Sequence, residues 1–166
     1  MLPDDLRHVM LREIDSVRAE LRAYPDDASV WAQPAGLPNA AGTLALHLTG
    51  NLRAFIGAAL GGTGYVRDRD AEFSRRNVPR AELIAGLDAA YRDVDAVLST
   101  VDASRLDAPF PAPMGPFQLA TGLTLVHLAV HLGYHLGQID YHRRVVTGDV
   151  TSVGTLSPKA LATTAS

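Results

Sequence analysis

From residue 108 to residue 139 the chain carries no charged side chain, yet histidines recur there at 127, 131 and 135, within VHLAVHLGYHLGQIDYH. So apolar a run is expected to fold as an interior helix, and side chains four apart on a helix project from the same face. His131 and His135 then stand one turn apart, in surroundings where a polar ring needs a partner. Two imidazoles at that spacing can close on one metal ion. His47, in LALHLTGNL, is the candidate for a third ligand from elsewhere in the chain.

The remaining apolar residues also fall on a helical period. Leu6, Met10, Ile14, Val17 and Leu21 mark a first helix over about residues 3–24. A second runs through TLALHLTGNLRAFIGAAL, with Leu44, Leu48, Asn51, Phe55 and Ala59 on one face and Gly61 and Gly62 at its end. Pro79 opens a third, whose buried stripe is Leu83, Leu87, Tyr91, Val94, Leu98 and Val101. The fourth extends from about residue 119 to 147, ending with Arg143 and Arg144 before Gly148. Turn-rich segments at 25–42 and 102–118 read as loops, and no strand alternation is visible. The expectation is an all-α four-helix bundle over residues 1–148, followed by a small, polar, partly ordered tail at 149–166.

Composition narrows the function. A net charge of −3 gives no basis for nucleic-acid binding through phosphate neutralisation. With no cysteine, disulfides, zinc–thiolate sites and a cysteine nucleophile are excluded. The N-terminal segment lacks a signal-peptide core. Three histidines, Gln138 and three glycines argue against a membrane span in the 119–139 region. A cytoplasmic protein is expected, with a small-molecule substrate.

Spacing alone permits a 127/131 pair as readily as 131/135, and Gln138 and His142 continue the same polar side of the helix. A lone histidine on an apolar face is more often a satisfied core residue than a ligand. His8 reads as a surface residue, and His142 as a helix-end residue, capping or exposed. Asp68, Asp70 and Glu72 alternate with Arg67 and Arg69, which reads as a solvated, salt-bridged loop. Trp31 and Phe110 line a pocket mouth or cover the core. Three neutral imidazoles suit zinc, nickel, copper or ferrous iron, and leave a coordination position open.

GTLALHLTGNLRAFI, RDRDAEFSRR and HLAVHLGYHLGQIDYHRR together resemble the DinB/YfiT-like superfamily of metalloenzymes, over about residues 31–144. The resemblance implies a helical bundle holding a divalent metal through His47, His131 and His135. His127 matches an extra histidine one turn earlier that is usually not a ligand, and Gln138 a recurrent glutamine. It also implies a homodimer and, where activities are established, transfer chemistry dependent on a low-molecular-weight thiol. Leu136 departs from the arginine of the HRGQ form. The expected function is therefore a divalent-metal-dependent (zinc, nickel or iron) thiol S-transferase, with Asn51 and Gln138 orienting ligand or substrate. Its rivals are a non-catalytic metal-binding stress protein and a bundle acting through its dimer surface.

Overall fold

The computed structural model describes residues 2–155 and 157–162. Within them the chain is all-α, with six helices. Four are long: α1 (Leu2–Arg22), α3 (Ala41–Leu52), α5 (Arg80–Leu98) and α6 (Thr121–Thr147). α1 and α3 each pack against both α5 and α6, so the four close a ring around one core. The expected stripes supply that core. Met10, Ile14, Val17 and Leu21 are fully buried, as are Leu87 and Val94, and Leu125, Leu128, Leu132 and Ile139 on α6.

Two short helices lie in segments read from sequence as irregular. α2 (Asp27–Val30) is capped by Asp26, whose side chain accepts from the Ser29 amide at 2.8 Å. α4 (Arg69–Ser74) is capped in the same way by Asp68, at 2.9 Å from the Ala71 amide. Such caps satisfy amides that a first turn leaves unpaired, which lets pieces too short to show a hydrophobic period still form. α3 winds on as a π-helical stretch (Arg53–Leu60), where the Gly61 amide reaches back to the Ile56 carbonyl at 3.0 Å. Pro79 is the residue before α5 rather than its first turn. Gly148 ends α6 with φ 72°, a left-handed conformation that glycine adopts without steric cost.

The 102–118 loop packs Leu106 and Met114 onto the core, and buries Phe110 (2% exposed) with its ring 6.4 Å from that of Phe55. Trp31 covers the core. Trp31 lies over Gly42, where a Cβ would meet its ring at 2.5 Å, and donates its indole N–H to the Val78 carbonyl.

His142 is not a surface residue. It is buried, accepting from the Tyr24 hydroxyl at Nδ1 (2.7 Å) and donating from Nε2 to the Ala32 carbonyl (2.8 Å), which ties α1, the α2 loop and α6 together. Burial pushes its pKa below the ordinary histidine range, with the bond to Ala32 opposing. Its neighbour Arg143 is fully buried and pairs with the equally buried Glu20 of α1 at 2.5 Å. The same guanidinium donates to the carbonyls of Asp149 (3.2 Å) and Thr151 (2.7 Å). The start of the tail is thereby held rather than frayed, because a buried guanidinium has donors to satisfy.

Removing Glu20 strands that buried charge. Glu20→Ala is expected to cost about 3–5 kcal/mol in urea unfolding, whereas Glu20→Leu with Arg143→Met costs markedly less. Equal losses in the two variants would contradict a paired, desolvated bridge.

Candidate metal centre

α3 and α6 run past each other in opposite directions: Leu44 shares a cavity with Gln138 and His142, and His47 meets His131 and His135. That register brings three imidazole nitrogens from two helices to one point, all within 4.8 Å of one another. The Nε2 of His131 lies 3.2 Å from that of His47 and 3.1 Å from that of His135. Tetrahedral ligands at zinc–nitrogen distances stand about 3.3 Å apart, close to these two separations. His47 is buried and the α6 pair half-buried.

The neighbours of the rings decide which nitrogens carry protons. Nδ1 of His47 lies 3.0 Å from Glu72 Oε2. An ionised carboxylate only accepts, so Nδ1 donates and the Nε2 lone pair is left facing the centre. Arg67 Nη2, 3.3 Å from the same ring nitrogen, makes its shorter bond to Glu72 Oε2, at 2.8 Å. Nδ1 of His135 donates to Gln138 Oε1 at 2.7 Å, which again leaves Nε2 as the lone pair. Partners of this kind fix tautomer and ring orientation at metal sites. Nδ1 of His131 is buried and has no partner. With lone pairs from His47 and His135 converging on the His131 Nε2, the donor set fits a cation better than it fits a hydrogen-bonded cluster.

Glu72 corrects the sequence expectation of a solvated loop. It is 5% exposed, and Arg67 grips both of its oxygens, at 2.7 and 2.8 Å. Burial alone would raise its pKa, but the bonds from Arg67 and His47 together hold it below the usual carboxylate range. The carboxylate fits because residue 50 is glycine; a Cβ there would stand 1.9 Å from Glu72 Oε1. Phe73, next on α4, packs its ring against His47 with centroids 5.0 Å apart. A glycine three residues after a candidate ligand was the available sequence signal for this contact.

The other candidates divide. Gln138 lies within hydrogen-bond distance of His135, through Oε1 and Nδ1. Asn51 is buried one turn after His47, and its Oδ1 has no partner. His127 is exposed and stacks on His131, with centroids 6.2 Å apart, outside the three-nitrogen group. A cavity of about 130 Å³ opens beside Gln138, lined by Leu37, Pro38, Asn39, Leu44, Tyr141 and His142. The 25–42 loop thus borders Gln138, although none of the three clustered histidines lines this cavity. The 102–118 loop lines neither this cavity nor a larger one of about 420 Å³ behind Glu72.

Burial, with the charges of His135, His47, His127 and Arg67, pulls the His131 pKa down to about 4, and burial lowers that of His135. Unfolded, both rings take up protons near pH 6.5. The folded metal-free protein therefore binds fewer protons between those values, and its stability is full above pH 6.5 and falls as pH drops toward 4. His131→Leu should flatten melting temperature against pH across that window; an unchanged slope would sink the assignment. Separately, Glu72→Ala should weaken metal affinity 10–100-fold, measured by competition with a chelating indicator, with helical content intact.

A family model described as the DinB superfamily matches residues 10–139. Comparison with curated proteins and with solved structures finds no match. Among the described residues no helix is long and apolar enough to cross a membrane.

Proposed function

The chain belongs to the DinB superfamily, and on that premise we propose that it is a divalent-metal-dependent enzyme whose ion is held by His47, His131 and His135. The observation that carries the reading is the His131 Nε2 lying 3.2 Å from the Nε2 of His47 and 3.1 Å from that of His135, the latter two with lone pairs turned inward by Glu72 and Gln138. A bound divalent ion supplies Lewis acidity, lowering the pKa of a coordinated water or thiol. The open side of a three-histidine set is where a small molecule enters.

The reaction proposed is S-transfer from a low-molecular-weight thiol. A carbon–sulfur bond forms as the electrophile's carbon–oxygen or carbon–halogen bond breaks, and the thiol proton passes to the leaving oxygen or to solvent. Both Glu72 oxygens are engaged by Arg67 and His47, so Glu72 positions His47 and is not the base. His127, exposed and stacked on His131, is the candidate proton acceptor at the rim. A second reading, favoured by the lack of a free carboxylate at the centre, is a non-catalytic metal-binding stress protein.

Elemental analysis of untagged protein should give close to one zinc, nickel or iron per chain, lost in both His47→Ala and His131→Ala. The loaded protein should then consume thiol with at least one member of an epoxide and haloaromatic panel. Metal without turnover selects the second reading. No metal after incubation with all three ions ends both.

A further inference from the structure

The cavity of about 420 Å³ behind Glu72 plays no part in the metal reading, for no histidine lines it. Its size is that of a small-molecule site. It is a groove between α3 and α5, with α4 and Tyr65 along its third side. Thr49 lies against Gly86, where a Cβ would stand 3.2 Å from its Cγ2, and Arg53 pairs with Asp93 at 3.0 Å, so the two helices run in the same direction. The groove follows them from the Arg75–Glu82 ion pair to Arg53. From Leu46 to Arg53, α3 advances about 10 Å. On the α5 side the lining is small and apolar, with Ala85, Gly86 and Ala89.

Most of the charge in the groove is already engaged. Arg67 holds Glu72, Glu82 accepts from Arg75 at 2.6 Å, and Asp68 caps α4. Arg53 differs. Its Nε serves Asp93 and its face lies on the Tyr65 ring, 4.2 Å from the centroid, but among the described residues neither Nη makes a hydrogen bond. The hydroxyls of Tyr65 and Thr49, in the same groove, are likewise without hydrogen bonds among those residues. Thr49 and Arg53 stand one turn apart and share a face. Arg53 also opens the π-helical stretch, a rare arrangement that is frequent at functional sites.

We propose that this groove is a second ligand site, separate from the histidine centre, and that it takes a compact organic monocarboxylate. The Nη edge of Arg53 matches a planar carboxylate, and the Tyr65 and Thr49 hydroxyls supply further donors. An apolar body then lies along Ala85, Gly86 and Ala89. The carboxylates of Asp68, Glu72 and Glu82 line the same groove, so a second negative charge on the ligand is disfavoured by repulsion. Dicarboxylates and phosphate are thereby selected against. The inference does not depend on the metal reading.

Hydrocinnamate, a phenyl ring on a short carboxylate chain, is the probe, and phenethylamine is the cation with a similar body. In isotope-labelled protein, hydrocinnamate should shift the Gly50 and Gly86 amide resonances saturably, and phenethylamine and inorganic phosphate should not. Stripping metal with a chelator, followed by dialysis, should leave the response unchanged. Arg53→Gln should weaken binding about tenfold or more, the loss expected for hydrogen bonds to a charged group. Ala85→Trp fills the groove from an exposed position and touches no ion pair. It should abolish binding with helical circular dichroism intact, and it decides the matter if Arg53→Gln fails to fold. An absence of saturable shifts would overturn the proposal. So would shifts centred on His131 and His135 or lost with the metal, equal binding of phenethylamine or phosphate, or undiminished binding by Ala85→Trp or by folded Arg53→Gln.

Discussion

A single helix has to satisfy different surroundings on each of its sides, and the rest of the molecule is arranged around that constraint. α6 gives leucines to the core, two imidazoles to the cluster with His47, and at its end a buried ring and a buried guanidinium to α1 and the α2 loop. A helix repeats every 3.6 residues, so one sequence can serve several directions only if each has its own set of positions. That is why the segment reads as apolar throughout instead of showing one clean stripe.

The centre shows how polarity is made tolerable in such a helix. Three rings this close cannot all be protonated, and burial lowers the basicity of His131 and His135 further. The protein places an acceptor behind His47 and another behind His135, so each ring gives up its N–H outward and directs a lone pair inward. Glu72 can do this inside the fold because Arg67 neutralises it and Gly50 leaves it room. The charge that sequence assigns to solvent is spent on orienting a ring.

What was legible in the sequence was what periodicity and spacing encode. The four long helices follow from their apolar stripes, and the meeting of His47 with His131 and His135 follows from their position on buried faces together with the family resemblance. Glu72 was not legible, because in Arg67–Asp68–Arg69–Asp70 alternating charge imitates a solvated loop, and a capped helix of six residues has no period to detect. The burial of Arg143 is written in the spacing. It follows Leu132, Leu136 and Ile139 at core intervals, so the stripe places a guanidinium where a leucine would be expected. His142 fails as a surface residue for a related reason: its partners, Tyr24 and the Ala32 carbonyl, lie more than a hundred residues away in the chain.

Arg143 also bears on how the protein comes apart. Its guanidinium joins Glu20 near the end of α1 to the backbone at Asp149 and Thr151, beyond the last turn of α6. Opening any one of these strands leaves the others with unsatisfied buried groups, so they cannot fray one at a time. The second half of α1, the last turn of α6 and the first residues of the tail thus form one cooperative unit. Their amides would exchange with solvent together, at a rate set by a shared opening and not by distance from a chain end.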